Sequence, residues 1–161
     1  MKKSIVAVLL VLSVALAPAL AENTFSIGVN TGTETGVGAR WQSGGFDLMG
    51  HFGWENYKVS PFTLGGDLQG SYRVATIAKG HSIEVPLTLG LGISTDVDMN
   101  GLWNISANVP VGFEYALAEV PMTIYLRVAP GVRFYSDGAF DCAFSCKVYA
   151  GGLWCFDGRT K

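Results

Sequence analysis

From Ser82 to Ser94 the side chains alternate without exception. Ile83, Val85, Leu87, Leu89, Leu91 and Ile93 are apolar, and the residues between them are polar, Pro or Gly. Period two is the mark of a β-strand with unlike faces, because successive side chains point to opposite sides of the sheet. Trp103 to Tyr115 repeats the pattern, with Trp103, Ile105, Ala107, Val109, Val111 and Phe113 on one phase and Asn104, Ser106, Asn108, Pro110, Gly112 and Glu114 on the other. So do Ile124–Phe134, Phe62–Val74, Phe46–Glu55, Val37–Trp41, Phe25–Asn30 and Phe140–Phe156. This makes eight strands, and in none does a charge fall on the apolar phase. The fold expected is all-β, an antiparallel up-and-down barrel of eight strands.

Composition removes the competing classes. Gly contributes 21 of 161 residues, and each costs about 1 kcal/mol relative to Ala inside a helix, which disfavours a helical bundle. Hydrophobic residues make up 49% of the chain and the formal net charge is −2, so neither disorder nor a basic nucleic-acid-binding surface fits. Charged residues are only 15%, against about 25% in ordinary soluble domains.

The first 21 residues read as a secretory signal peptide rather than as part of the fold. Lys2 and Lys3 precede an apolar run from Ile5 to Ala17, and Ala19-Leu20-Ala21 is an A-x-A-like cleavage site. The run is too short for a transmembrane helix, which needs roughly 20 residues. Residues 22–161 then form a single barrel domain. Loss of Lys2 and Lys3 takes its net charge from −2 to −4.

Alternation leaves open which face is inside. A soluble, secreted, lipocalin-like barrel would turn the apolar face inward around an apolar ligand. A transmembrane barrel would turn it outward to lipid. Threading the strands up and down sorts the aromatic residues by height and favours the second. Trp54, Phe62, Trp103, Phe134 and Phe140 fall near one rim. Phe25, Trp41, Phe46, Phe113, Tyr115, Trp154 and Phe156 fall near the other, with aliphatic residues between. Aromatic girdles suit amphipathic rings at a membrane interface. The connections point the same way. Ser43-Gly44-Gly45, Ala78-Lys79-Gly80 and Glu119-Val120-Pro121 look tight, while Asn56–Pro61 and Thr95–Gly101 look longer, as in outer-membrane barrels. Two connections at the long-loop end, Thr31–Thr35 and Ser136-Asp137-Gly138, look short.

The polar phase then lines a lumen that side chains fill. It carries Arg40, Asp47, Glu55, Asp67, Arg73, Glu84, Glu114, Arg127, Arg133, Asp141 and Lys147. Unpaired buried charge is costly, so these must pair. Turn lengths predict three opposite-charge partners across hairpins: Glu114 with Arg127, Arg73 with Glu84, and Arg133 with Asp141. The last register also sets Arg127 opposite Lys147, so that Glu114 must serve more than one cation.

Few residues suggest chemistry. Asp96-x-Asp98-x-Asn100-Gly101 matches the first half of a calcium loop, but its twelfth position is Ala107 where a bidentate Glu belongs. An Asx-rich hairpin loop is the simpler reading. His51 and Glu55 share a strand face and suit a lumen hydrogen-bond network. His81-Ser82 points to opposite faces and makes a poor dyad. Asn104-Ile105-Ser106 is a glycosylation sequon inside a strand. No catalytic, cofactor-binding or metal-binding residue is assigned, no cofactor is implied, and the chain is read as a non-enzyme. Cys142, Cys146 and Cys155 give an odd count and no complete disulfide framework. A continuous strand from Ala139 to Phe156 holds Cys142 and Cys146 too far apart to bridge. An irregular loop over Ser136–Cys146 would instead allow a Cys142–Cys146 disulfide.

These features together resemble the eight-stranded OmpA-like small outer-membrane β-barrel family. More narrowly, Val109-Pro110-Val111-Gly112-Phe113-Glu114-Tyr115, Pro121 and Val128-Ala129-Pro130-Gly131 resemble small barrels from spirochaetes. That resemblance implies an outer-membrane β-barrel of porin-like fold and no established chemistry. Such barrels commonly end on an aromatic residue; here Asp157 to Lys161 follow Phe156. The expected partners are outer-membrane lipid, the barrel-assembly machinery and an extracellular ligand of the loops, with no nucleic acid. The expected role is an envelope structural component or a surface-loop binding protein with a side-chain-filled, non-conducting lumen.

Overall fold

The computed structural model describes residues 23–56, 62–79, 84–117, 119–136 and 140–156. The expected signal peptide and His81-Ser82 lie outside them. The described residues form nine β elements and no helix: β1 (Asn23–Gly32), β2 (Glu34–Ser43), β3 (Phe46–Glu55), β4 (Thr63–Lys79), β5 (Glu84–Asp98), β6 (Trp103–Asn108), β7 (Val111–Ala116), β8 (Met122–Ser136) and β9 (Phe140–Cys155). All pairings are antiparallel. β6 and β7 are one strand in two pieces, since both lie between β5 and β8. The break is Val109-Pro110, where Pro supplies no N–H to the ladder. Pairing continues across it, because Gly90 N donates to Pro110 O and Val109 N donates to Pro130 O. Counted this way, eight strands close in a ring through β4–β5 and β1–β9. Closure leaves no open sheet edge.

The two faces are inverted relative to a soluble domain. Exposed large hydrophobic residues run around the whole outer wall, among them Val29 (66%), Leu91 (74%) and Phe144 (79%). Buried residues are mainly polar or charged. Among the buried apolar exceptions, Met49, Tyr125, Tyr149 and Leu153 form one small cluster within the ring. Around the lower rim (the end at the β2–β3 turn) Phe156, Phe25, Trp41 and Phe46 form a row. Phe25 stacks on Phe156 and Trp41 meets Phe46 edge-on, each with ring centroids 6.2 Å apart. Trp54, Phe62 and Trp103 are exposed near the upper rim.

Inward-facing glycines make room for the large lumen side chains. A Cβ on Gly112 would lie 2.6 Å from Thr88 Oγ1 and 3.0 Å from Arg127 Cγ. One on Gly151 would lie 2.8 Å from the Tyr125 ring, and one on Gly65 would press on the Glu34 carboxyl. In a lumen this narrow, a bulky side chain on one strand requires its neighbour to have none.

The connections differ from expectation. β5 runs on to Asp98, so the supposed long loop over Thr95–Gly101 is only the turn Met99–Leu102. The short-below, long-above asymmetry therefore fails there. The β4–β5 hairpin is longer than expected and carries register shifts at Arg73/Ala75 and Thr76/Ala78. The residues skipped at these bulges, Val74 and Ile77, are exposed, and strict alternation ends there.

β9 is continuous from Phe140 to Cys155. Cys142 and Cys146 are free and exposed on its outer face. Four extended residues separate their Cα atoms by about 13 Å, beyond the roughly 7 Å a disulfide allows. Cys155 is buried in the lumen, where Ser26 Oγ donates to its Sγ at 3.3 Å. Mass spectrometry of the non-reduced, alkylated protein is therefore expected to find three modified cysteines. A Cys142–Cys146 crosslink in native material would contradict the continuous strand.

Candidate functional site

The lumen holds two ionic clusters with an aromatic layer between them. In the lower one, Arg127 of β8 donates from Nη2 to Asp47 Oδ1 of β3 at 2.6 Å and to Glu114 Oε1 of β7 at 3.1 Å. Glu114 Oε2 accepts from Arg40 Nη1 of β2 at 2.8 Å. Two guanidinium groups and two carboxylates thus neutralise one another across the lumen, all buried. In the upper cluster, Lys147 Nζ of β9 donates to Glu34 Oε1 of β2 at 2.5 Å and to Asp96 Oδ1 of β5 at 2.7 Å. Between them His51 contacts Asp67 Oδ1 through Nδ1 at 2.8 Å and Tyr125 Oη through Nε2 at 3.0 Å. Its ring stacks on Tyr149 at 4.6 Å. The Arg127–Asp47, Arg40–Glu114, Lys147–Glu34, Lys147–Asp96 and His51–Tyr125 contacts tie strands that are not sheet neighbours, so the clusters brace the ring from within.

The expected hairpin pairs fare differently. Glu114 does meet Arg127 and does serve two cations, but the register is displaced by two residues. Gly112, not Glu114, faces Arg127 across the ladder, and the second cation is Arg40 rather than Lys147. Long side chains reach diagonally, which rescues the pair. Arg73 faces Thr88, and Glu84 faces Lys79. Arg73 Nη1 and Glu84 Oε1 still approach to 3.7 Å, but both side chains are half-exposed. The Arg133–Asp141 pair is absent. Arg133 faces Ala143 and Asp141 faces Tyr135, whose hydroxyl donates to Asp141 Oδ2 at 3.1 Å. Lys147 faces Ala129, not Arg127.

Glu34 and Asp96 were missed because both fell in segments read as loops. The signal was available. Glu34 continues the polar phase of Gly36, Gly38 and Arg40, and Asp96 continues that of Thr88, Gly90, Gly92 and Ser94. The same assignment dissolves the calcium reading. Asp96 turns inward to Lys147, while Asp98 Oδ1 accepts the backbone N–H groups of Asn100 and Leu102 at 2.9 Å in an Asx-type turn. Among the described residues no group of three acidic, His or Cys side chains is arranged to hold a metal ion. His51 joins the lumen network as expected, and the Asn104-Ile105-Ser106 sequon lies within β6 with Ser106 buried.

At the upper mouth, above Lys147, lies an open pocket of about 420 Å³ that includes Asp98, Leu102, Trp103, Asn104, Arg133 and Phe144 in its wall. No family model matches the chain, nor does any curated protein or solved structure.

Removing one member of a buried ion-pair group strands its partners. Arg127→Ala takes from Asp47 the guanidinium it binds and leaves Glu114 with Arg40, and is expected to cost about 3–5 kcal/mol. Arg73→Ala, in a half-exposed pair, is expected to cost less than about 1 kcal/mol. Urea unfolding of both variants in detergent checks the contrast.

Proposed function

We propose that this protein is a small, non-enzymatic outer-membrane β-barrel of the OmpA-like kind, exported by a cleaved signal peptide. It acts as an envelope component or presents its outward end to a ligand. The observation that carries the reading is the inversion of faces. A ring of exposed Val, Leu, Ile, Phe and Trp side chains surrounds a lumen of buried ions and amides. In water this wall would far exceed the few hundred Å² of contiguous apolar surface usual on soluble monomers. In lipid the same wall is the favoured one, and the closed ring satisfies every strand's backbone in a medium with no hydrogen bonds to offer. A soluble barrel with an apolar cavity needs the opposite orientation of faces.

Fractionation together with gel migration before and after boiling tests the reading. The folded protein is expected in the outer-membrane fraction, soluble only with detergent, with altered mobility when unheated and a mature N-terminus at Glu22. Recovery as a detergent-free periplasmic protein overturns it. Leu91 stands mid-strand on the outer wall, 74% exposed. Leu91→Arg is expected to lower stability in lipid by roughly 2–4 kcal/mol, the cost of a cation near the bilayer midplane. An unchanged unfolding midpoint in vesicles contradicts the membrane assignment.

The lumen clusters also bear on transport. Arg127, Tyr125, Tyr149 and Lys147 are essentially fully buried across the bore. Eight strands leave space for little else. Pure protein in planar bilayers is expected to give no stable, large single-channel conductance.

A further inference from the structure

The two-residue displacement between β8 and β9 that separates Arg133 from Asp141 has left a cation at the upper mouth. Among the described residues Arg133 forms no ion pair, and its Nε is buried without a hydrogen-bond partner. Asn104, diagonal to it on the adjoining strand, has a buried Oδ1 that is equally unpartnered. Both line the 420 Å³ mouth pocket, a volume in the range of small-molecule sites. Other lumen groups also keep an unpartnered atom, Arg40 Nε and Arg127 Nε among them, but those guanidinium groups are already paired with carboxylates and that of Arg133 is not. Beside these two groups stand Leu102 and the Tyr135 ring. An apolar wall with a few convergent polar groups is the usual make-up of a ligand site.

We propose that the pocket binds a small organic monocarboxylate. Its carboxylate meets the Arg133 guanidinium, whose planar fork matches two carboxylate oxygens, and takes a further hydrogen bond from the Asn104 amide, which can turn either end toward it. The apolar body rests on Leu102 and the Tyr135 ring. The charges nearby set the valence. Asp96 borders the pocket but is held by Lys147 at 2.7 Å. Asp98 also borders it, and its Oδ1 is engaged by two backbone N–H groups. Two carboxylates beside the pocket repel a second negative charge on the ligand, so a dianion is disfavoured. The proposal rests on the barrel and its register and deepens the reading of the outward end as a binding surface.

The test uses the full-length mature protein folded in zwitterionic detergent, with barrel folding checked by gel mobility in every sample. Binding of 4-fluorophenylacetate is followed by fluorine NMR relaxation against protein-free micelles, alongside its neutral amide and the dianionic 4-fluorophenylphosphonate. The acid is expected to bind at least about tenfold more tightly than the amide, since charged hydrogen bonds carry that much, and more tightly than the phosphonate. Arg133→Gln is expected to erase the preference for acid over amide, while Arg133→Lys retains part of it. Equal binding of acid and amide by the native protein, or partition into micelles only, overturns the proposal. So does an undiminished acid preference in a folded Arg133→Gln variant. Should that variant not fold, the acid–amide–phosphonate comparison on native protein decides the matter alone. Failure of the barrel reading itself would show separately, as loss of heat-dependent mobility.

Discussion

Closing eight strands into a ring pairs every strand edge and leaves a bore the width of a few side chains. Whatever the polar phase of each strand carries is forced into that bore, away from bulk water. A charge placed there must find an opposite charge, because desolvation otherwise costs several kcal/mol per ion. The Arg40–Glu114–Arg127–Asp47 group and the Glu34–Lys147–Asp96 group are the outcome. Both draw members from strands distant around the ring, so they oppose flattening of the barrel as well as unpaired charge.

Packing in the bore follows from the same constraint. Arg127 occupies space that a Cβ on Gly112 would take, and Tyr125 does the same at Gly151. The high glycine content is thus a steric counterpart of the large lumen side chains as well as a mark of a β-rich chain. His51, held by Asp67 and Tyr125 and stacked on Tyr149, fills the level between the two ionic groups. Outside, nothing of this is needed. The outer wall varies among aliphatic and aromatic residues and asks only to be apolar.

The upper mouth departs from this economy. Unpartnered polar atoms occur throughout the lumen, but Arg40, Arg127 and Lys147 each hold a carboxylate, whereas among the described residues Arg133 holds none. A departure from self-sufficiency at the end of a barrel, beside Leu102 and Tyr135, is where a ligand would supply what the chain does not.

Phase was legible in the sequence, and register was not. A side chain's face depends only on odd or even position along its own strand, so the inward Arg40, Asp47, His51, Asp67, Glu114, Arg127 and Lys147 could be read from period two. The same rule, carried two residues further, would have included Glu34 and Asp96. Partner choice depends on the length of each turn and on bulges, such as those after Arg73 and Thr76, which periodicity does not encode. A slip of two residues preserves every face and exchanges every partner. Glu114 and Arg127 tolerated that slip because their side chains span the diagonal, whereas Arg133 and Asp141 did not. The sequence by itself therefore determined an eight-stranded β architecture with one polar and one apolar face. Only the closed ring decided which charges meet, since that requires strands far apart in sequence to converge on one bore.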